Sequence, residues 1–223
     1  MKILFIAYSY PNTYNSMSAP FCRDHALALT EAGCEVFVVS VIPVSFRLIL
    51  KTRKIFFKLQ IKRDINLTEF VQCFPSIPKL RILNNYIRNK ITIAIYRKKI
   101  KDYFLPDIIH VHGFLAGWAA FKLKQKYNIP YVITEHNTGF ARNVFSRSQI
   151  NLASKIFKNA DFRIAVSEPF AVLLTIKFCV QFVFVPNVFN SCFNKNIKKL
   201  YNINDVIRIC NVAHLDKKKN HLR

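Results

Sequence analysis

The sequence predicts an α/β fold, a parallel sheet with helices on both faces. Three observations carry the prediction. Short β-branched and aromatic runs (Ile3 to Ala7, Val36 to Ile42, Ile108 to Val111, Tyr131 to Thr134, Phe162 to Val166) alternate with longer stretches of helical apolar period. The first strand, helix, glycine and second strand form a βαβ unit, whose strands are parallel. The chain has 223 residues, 52% of them hydrophobic and 14% aromatic, which excludes a disordered chain and suffices for a large core.

Ile3 to Ala7 is a buried first strand. Met1-Lys2 with this run has the look of a signal peptide, but Tyr10, Pro11 and Asn12 break it too early. Tyr8 to Ser18 is a polar loop. Pro20 opens a helix whose apolar face is Phe21, Ala26, Leu27 and Leu29, and Gly33 caps it. After the strand Val36 to Ile42, the stretch Val44 to Arg63 interleaves basic and apolar residues without an acid. It reads as a surface helix with snorkelling Lys and Arg stems and, compatibly, as a segment lying on an anionic membrane through Arg47, Lys51, Arg53, Lys54 and Lys58. Leu59 to Phe74 holds two short strands around Asp64-Ile65-Asn66, ended by Pro75 and Pro78. Asn84 to Phe104 is a basic helix that stops before Pro106.

The stretch Pro106 to Trp118 organises the rest. Its short strand ends on His112 and Gly113, and a helix follows over Ala116 to Tyr127. In an open α/β sheet ligands bind outside the carboxyl ends of the strands. His112 stands at such an end, where Gly113 lets a ligand approach the backbone. The alternative is a partly buried histidine without a binding role. A second strand, Tyr131 to Thr134, ends in Glu135-His136-Asn137, and a second histidine at a second strand end favours a cleft. Asn143 to Asn159 is helical, Phe162 to Val166 a strand, Ser167 the cap of a helix from Glu168, and Val183 to Val185 a strand before Pro186-Asn187. Asn190 to Asn204 reads as a linker and Val206 to Val212 as a fresh strand.

Composition narrows the function. Thirty-four Lys+Arg against 12 Asp+Glu give a net charge of +22, which favours nucleic acid, anionic lipid or phosphorylated partners. The six cysteines fit no zinc or redox spacing and read as reduced thiols, mostly core. No GxGxxG occurs, and four glycines in all argue against an ordinary nicotinamide or flavin domain. Pro169 to Val185 is apolar but carries Lys177 and is shorter than a spanning helix, so no transmembrane segment is expected.

Four segments together resemble the amino-terminal half of a family 4 glycosyltransferase of the GT-B fold. They are Ala28 to Val36, Asp107 to His112, Thr134 to Phe140, and Ala160 to Glu168 followed by Val185-Pro186-Asn187. The resemblance implies a Rossmann-like acceptor-binding domain over residues 1–200. Residues 204–223 resemble the first strand and helix start of a nucleotide-sugar-binding domain. The donor-binding basic residue and paired glutamates of the family do not follow, so the chain is expected to be a fragment, a frameshifted product or a shortened form, inactive alone. The implied reaction moves a sugar from a nucleotide-sugar to a glycan or lipid-linked acceptor with retention. By the same resemblance His112 is catalytic and faces the transferred sugar, and Ser18, Ala19, Gly113, Glu135, His136 and Asn137 border the substrate. His110 is read as pointing to the opposite strand face from His112, in a structural role. The loop from Ser16 to Pro20 lacks the glycines many members place there, and Asn190 stands where many have an acid. No metal and no cofactor are expected, the donor being a substrate. The expected partners are the acceptor and the cytoplasmic face of an anionic membrane. The alternatives are a non-catalytic membrane-surface or partner-binding module and, with no recognised module to support it, a nucleic-acid binder.

Overall fold

The computed structural model describes residues 1–52 and 57–188. The linker and fresh strand expected beyond 188, the expected domain stub at 204–223, Asn190, Arg53 and Lys54 lie outside the described residues. The strands are β1 (Lys2–Ala7), β2 (Glu35–Val44), β3 (Gln60–Arg63), β4 (Leu67–Pro75), β5 (Ile108–His112), β6 (Tyr131–Glu135), β7 (Phe162–Ala165) and β8 (Val183–Phe184). The helices are α1 (Pro20–Glu31), α2 (Phe46–Thr52), α3 (Arg81–Ile95), α4 (Phe114–Tyr127), α5 (Arg147–Asn159) and α6 (Glu168–Phe178). They build one sheet in the order β3-β4-β2-β1-β5-β6-β7-β8. All neighbours are parallel except β3, which forms an antiparallel edge on β4. Lys62 and Arg63 on that edge strand are exposed, and such charge discourages pairing with another chain.

Strand alternation sorts the core onto two faces. Leu4 and Ile6 of β1 join Val39, Ile109, Val111 and Ile133 on the face covered by α3, α4, α5 and α6. Ile3, Phe5 and Ala7 face the other way, with Val36, Val38 and the α1 residues Cys22 and Ala26. Near-continuous apolar strands are what burial on both faces requires. Gly33, at φ +82°, ends α1: its N–H reaches Thr30 O and that of Cys34 reaches Leu29 O, the paired bonds of a left-handed helix stop.

Several boundaries move for local reasons. α3 begins at Arg81, three residues before the expected start, and runs on into a π-turn, Tyr96–Ile100. The wider turn keeps both Tyr96 and Ile100 buried. α5 begins at Arg147, not Asn143, because Asn143 is left-handed at φ 49° and Ser146 supplies a capping box with Gln149. Ser167 stands at the start of α6 but its side chain makes no capping bond. Of the cysteines, Cys22 and Cys73 are buried, while Cys34 is half-buried and Cys179 exposed.

Candidate active site

The strand order reverses between β1 and β5, since β1 leads to β2 on one side and the chain returns to place β5 on the other. Such a switch point opens a crevice beyond the carboxyl ends of the strands. Here the crevice has a volume of about 280 Å³, and its walls include Tyr8, Ala19, Phe21, His112, Glu135 and His136. Gly113 and Asn137 also line it. Ser18 does not; its hydroxyl hydrogen-bonds that of Ser9, a wall residue, at 2.7 Å.

Gly113 holds the turn between β5 and α4 at φ +85°, and a Cβ there would stand 3.3 Å from Tyr8 Cβ. The close neighbour that the glycine admits is therefore the protein's own Tyr8. Its N–H donates to Thr134 O at 2.9 Å, and that of Tyr8 to His112 O at 3.0 Å, which ties three strand ends together.

Glu135 is fully buried, and its carboxylate faces inward to the chain. Oε2 accepts the N–H of Phe114 at 2.8 Å, and Oε1 those of His136 at 3.0 Å and Asn137 at 2.8 Å. Phe114 opens α4, where a carboxylate complements the helix dipole. Burial nevertheless pushes the group up to about 7, with the three N–H bonds opposing. Asn137 Oδ1 is likewise occupied, by the N–H of Gly139 at 2.8 Å.

His112 is 1% exposed. Its ring stacks on Phe5 at 4.2 Å, and its Nδ1 hydrogen-bonds His136 Nε2 at 2.9 Å. The two remaining nitrogens, His112 Nε2 and His136 Nδ1, are buried without a partner. His136 is the more open ring of the pair, and Phe21 covers it at 4.8 Å.

One expectation is corrected. His110 and His112 are two positions apart on β5, so strand alternation puts them on the same face. Their ring centroids are 4.4 Å apart, and His110 Nε2 is hydrogen-bonded to Thr134 Oγ1 at 2.8 Å. This face is the one under α1, which brings in His25, with its ring 5.1 Å from His110 and 4.9 Å from His112. His25 escaped the sequence reading because a lone histidine on an amphipathic helix carries no signal. Burial first, and mutual repulsion second, push His110 down to about 3 and His112 well below its ordinary value. Burial also lowers His25, and lowers His136 to about 4. The rings are therefore neutral near pH 7.

Sequence spacing showed no ligand cluster, yet one ring nitrogen each from His25, His110 and His112 lie within 4.8 Å of one another. Zinc–nitrogen bonds of 2.0–2.1 Å set tetrahedral ligand atoms about 3.4 Å apart, so these rings would have to close in to hold an ion. The motif Ala160-Asp161 is explained by structure: Asp161 accepts the N–H of Tyr131 at 2.9 Å and pairs with Lys124 at 2.6 Å, fastening β6.

Arg88, on α3, is the other residue that sequence reading missed. It is 4% exposed, lies 3.9 Å over the Tyr8 ring, and donates to Val41 O and Asn85 Oδ1. A second cavity of about 520 Å³ extends beyond it and shares Tyr8, Leu115 and Asn137 with the crevice. Of the basic residues assigned to a membrane, Arg47, Lys51 and Lys58 are exposed.

The sequence matches Glycosyltransferase Family 4 over residues 19–188. Among solved structures, sucrose-phosphate synthase from Thermosynechococcus elongatus is similar at 16% identity and TM-score 0.58, over 83% of this chain and 48% of that one. A second structure of that enzyme aligns at 18% identity and TM-score 0.58, over 85% of this chain and 91% of that one. The catalytic domain of starch synthase IV from Arabidopsis thaliana, bound to ADP and acarbose, aligns at 12% identity and TM-score 0.54, over 86% of this chain and 52% of that one. No curated protein matches the sequence. The chain thus spans about half the length of two of these structures. The likeness is one of fold, and the family match rests on the sequence itself: the protein belongs to glycosyltransferase family 4, with the Rossmann-like fold of a GT-B amino-terminal domain.

Proposed function

We propose that this chain supplies the acceptor-binding half of a retaining transfer, in which a sugar passes from a nucleotide-sugar to a glycan or lipid-linked acceptor. The observation that carries the reading is the crevice at the switch point, where neutral His112 and His136 keep two unpartnered nitrogens. A neutral imidazole presents one donor and one acceptor, which suits a sugar hydroxyl. We assign the ligand to His136, the more open of the two wall rings, whose Nδ1 a small turn of the ring would bring to the crevice. His112, behind it, fixes its tautomer and orientation through the 2.9 Å bond. Glu135 holds the rim by binding backbone amides. Anchoring at an anionic membrane belongs to the same reading, and α2 supports it. Phe46 and Leu50 are 56% and 76% exposed beside the exposed Arg47 and Lys51.

The test is ligand-detected NMR of the purified chain with a panel of mono- and oligosaccharides. Saturation transfer to at least one sugar should fall about tenfold in His136→Ala, the scale of a lost hydrogen bond with its partner left unpaired. Sugar contacts that persist unchanged in that variant would place the acceptor elsewhere.

A further inference from the structure

The larger cavity beside the crevice is built around a buried cation. Among the described residues, no carboxylate lies within 4.0 Å of Arg88. Its charge is met by dipoles: Val41 O at 3.0 Å, Asn85 Oδ1 at 3.2 Å, and Tyr8, through both its ring and its side-chain hydrogen bond. A buried guanidinium is ordinarily paired, because desolvation without a counter-charge is costly. The cavity wall offers no Asp or Glu. It adds a second cation, Arg81, and the hydroxyls of Ser45 and Ser76, while the Asn84 amide is committed to the Ile77 backbone. Arg81 opens α3, whose first turn holds no acidic residue to offset the helix dipole. The site is thus positive and without a carboxylate, and it shares Tyr8, Leu115 and Asn137 as wall residues with the crevice under His136.

We propose that the cavity is an oxyanion subsite and that the acceptor is a sugar carrying a phosphate or carboxylate, seated on Arg88 and Arg81 while its hydroxyls reach the crevice. This rests on the acceptor-binding reading above. Planar guanidinium groups suit either anion, since both accept paired N–H bonds. The alternative is that Arg88 only clamps the end of β2 to α3.

The experiment is titration of the purified chain with four probes: glucose 1-phosphate, glucuronate, methyl glucoside and inorganic phosphate. At low salt the charged sugars should bind about tenfold tighter than methyl glucoside, the worth of one charge-assisted hydrogen bond. Whichever of glucose 1-phosphate and glucuronate binds more tightly names the anion. Arg81→Gln, at an exposed position, should cut that preference several-fold and leave methyl glucoside unchanged. Arg88→Gln, checked for folding by circular dichroism, should abolish it. Equal binding of charged and neutral sugars would overturn the oxyanion subsite and leave the acceptor reading standing. So would a preference untouched by Arg81→Gln and, in folded protein, by Arg88→Gln. Inorganic phosphate binding as tightly as glucose 1-phosphate would overturn the assignment to a sugar.

Discussion

Glu135 shows how one residue can sit in a site and still be committed to the fold. Both its oxygens accept backbone N–H groups, from Phe114 on one side and His136 and Asn137 on the other. Glu135→Gln keeps the shape but turns one acceptor into an NH₂ that faces a donor. Leaving a buried N–H unmatched costs about 1–3 kcal/mol. At pH 8 Gln also removes the cost of burying the ionised carboxylate, so urea unfolding should show a net loss smaller than that; a loss of the full size would mean that the carboxyl is not held above its ordinary value. The sequence made this residue conspicuous at a strand end but could not say whether its oxygens were free. Side-chain period also gave the right tool for His110, since a two-residue step keeps the face, and the opposite-face expectation misapplied it. His25 and Arg88 were illegible for another reason. Their meaning comes from what α1 and α3 pack against, and that is a long-range fact.

At the scale of elements, the strands were legible because buried parallel strands are apolar runs of short, recognisable length, whereas their order in the sheet and the antiparallel β3 depend on long-range pairing. Helix starts were legible for α1 at Pro20 and α6 at Glu168, and not for α3, α4 and α5. Ser146 with Gln149 is a capping signature that marks α5, yet the polar residues before it also fit a helical stretch. α2 carries the most consequential local prediction. Leu48 and Ile49 pack toward Tyr14, Val44 and Cys73, while Phe46 and Leu50 remain outside beside Arg47 and Lys51. No helix of the described residues is long and apolar enough to cross a membrane, so attachment through α2 would be peripheral. Basic residues near an anionic surface contribute about 1 kcal/mol each, and salt weakens this. Flotation assays should therefore show binding to phosphatidylserine vesicles and not to phosphatidylcholine, reversed at high salt. Arg47→Gln, Lys51→Gln and Lys58→Gln together should weaken it strongly. Equal binding to both vesicles, or no change in the triple variant, would remove α2 from membrane attachment.

At the scale of the whole molecule, the buried histidines govern how stability responds to acid. His110 and His136 titrate near 3 and 4 in the folded protein, and His25 and His112 are lowered too. Unfolded imidazoles take up protons near 6.5. Above that value both states are neutral and these groups contribute their full stability. As pH falls below it, the unfolded chain binds protons that the folded chain refuses, and stability is lost at about 1.4 kcal/mol per pH unit for each such group. Glu135 acts with the opposite sign. Its folded value near 7 lies above the ordinary 4.5, so its contribution is present at low pH and disappears as pH rises between those values. One carboxyl therefore opposes several histidines, and the net slope from 6.5 downward should follow the histidines and steepen below 4.5. The net charge of +22 also disfavours the folded state in acid, but salt screens that repulsion and leaves buried rings untouched. Urea denaturation in 0.5 M salt, repeated from pH 8 to pH 4, separates the two. The midpoint should fall steadily below pH 6.5, and His136→Gln should make the fall shallower by about one proton's worth. A midpoint as high at pH 5 as at pH 7.5 would show that the ring cluster accepts protons while folded.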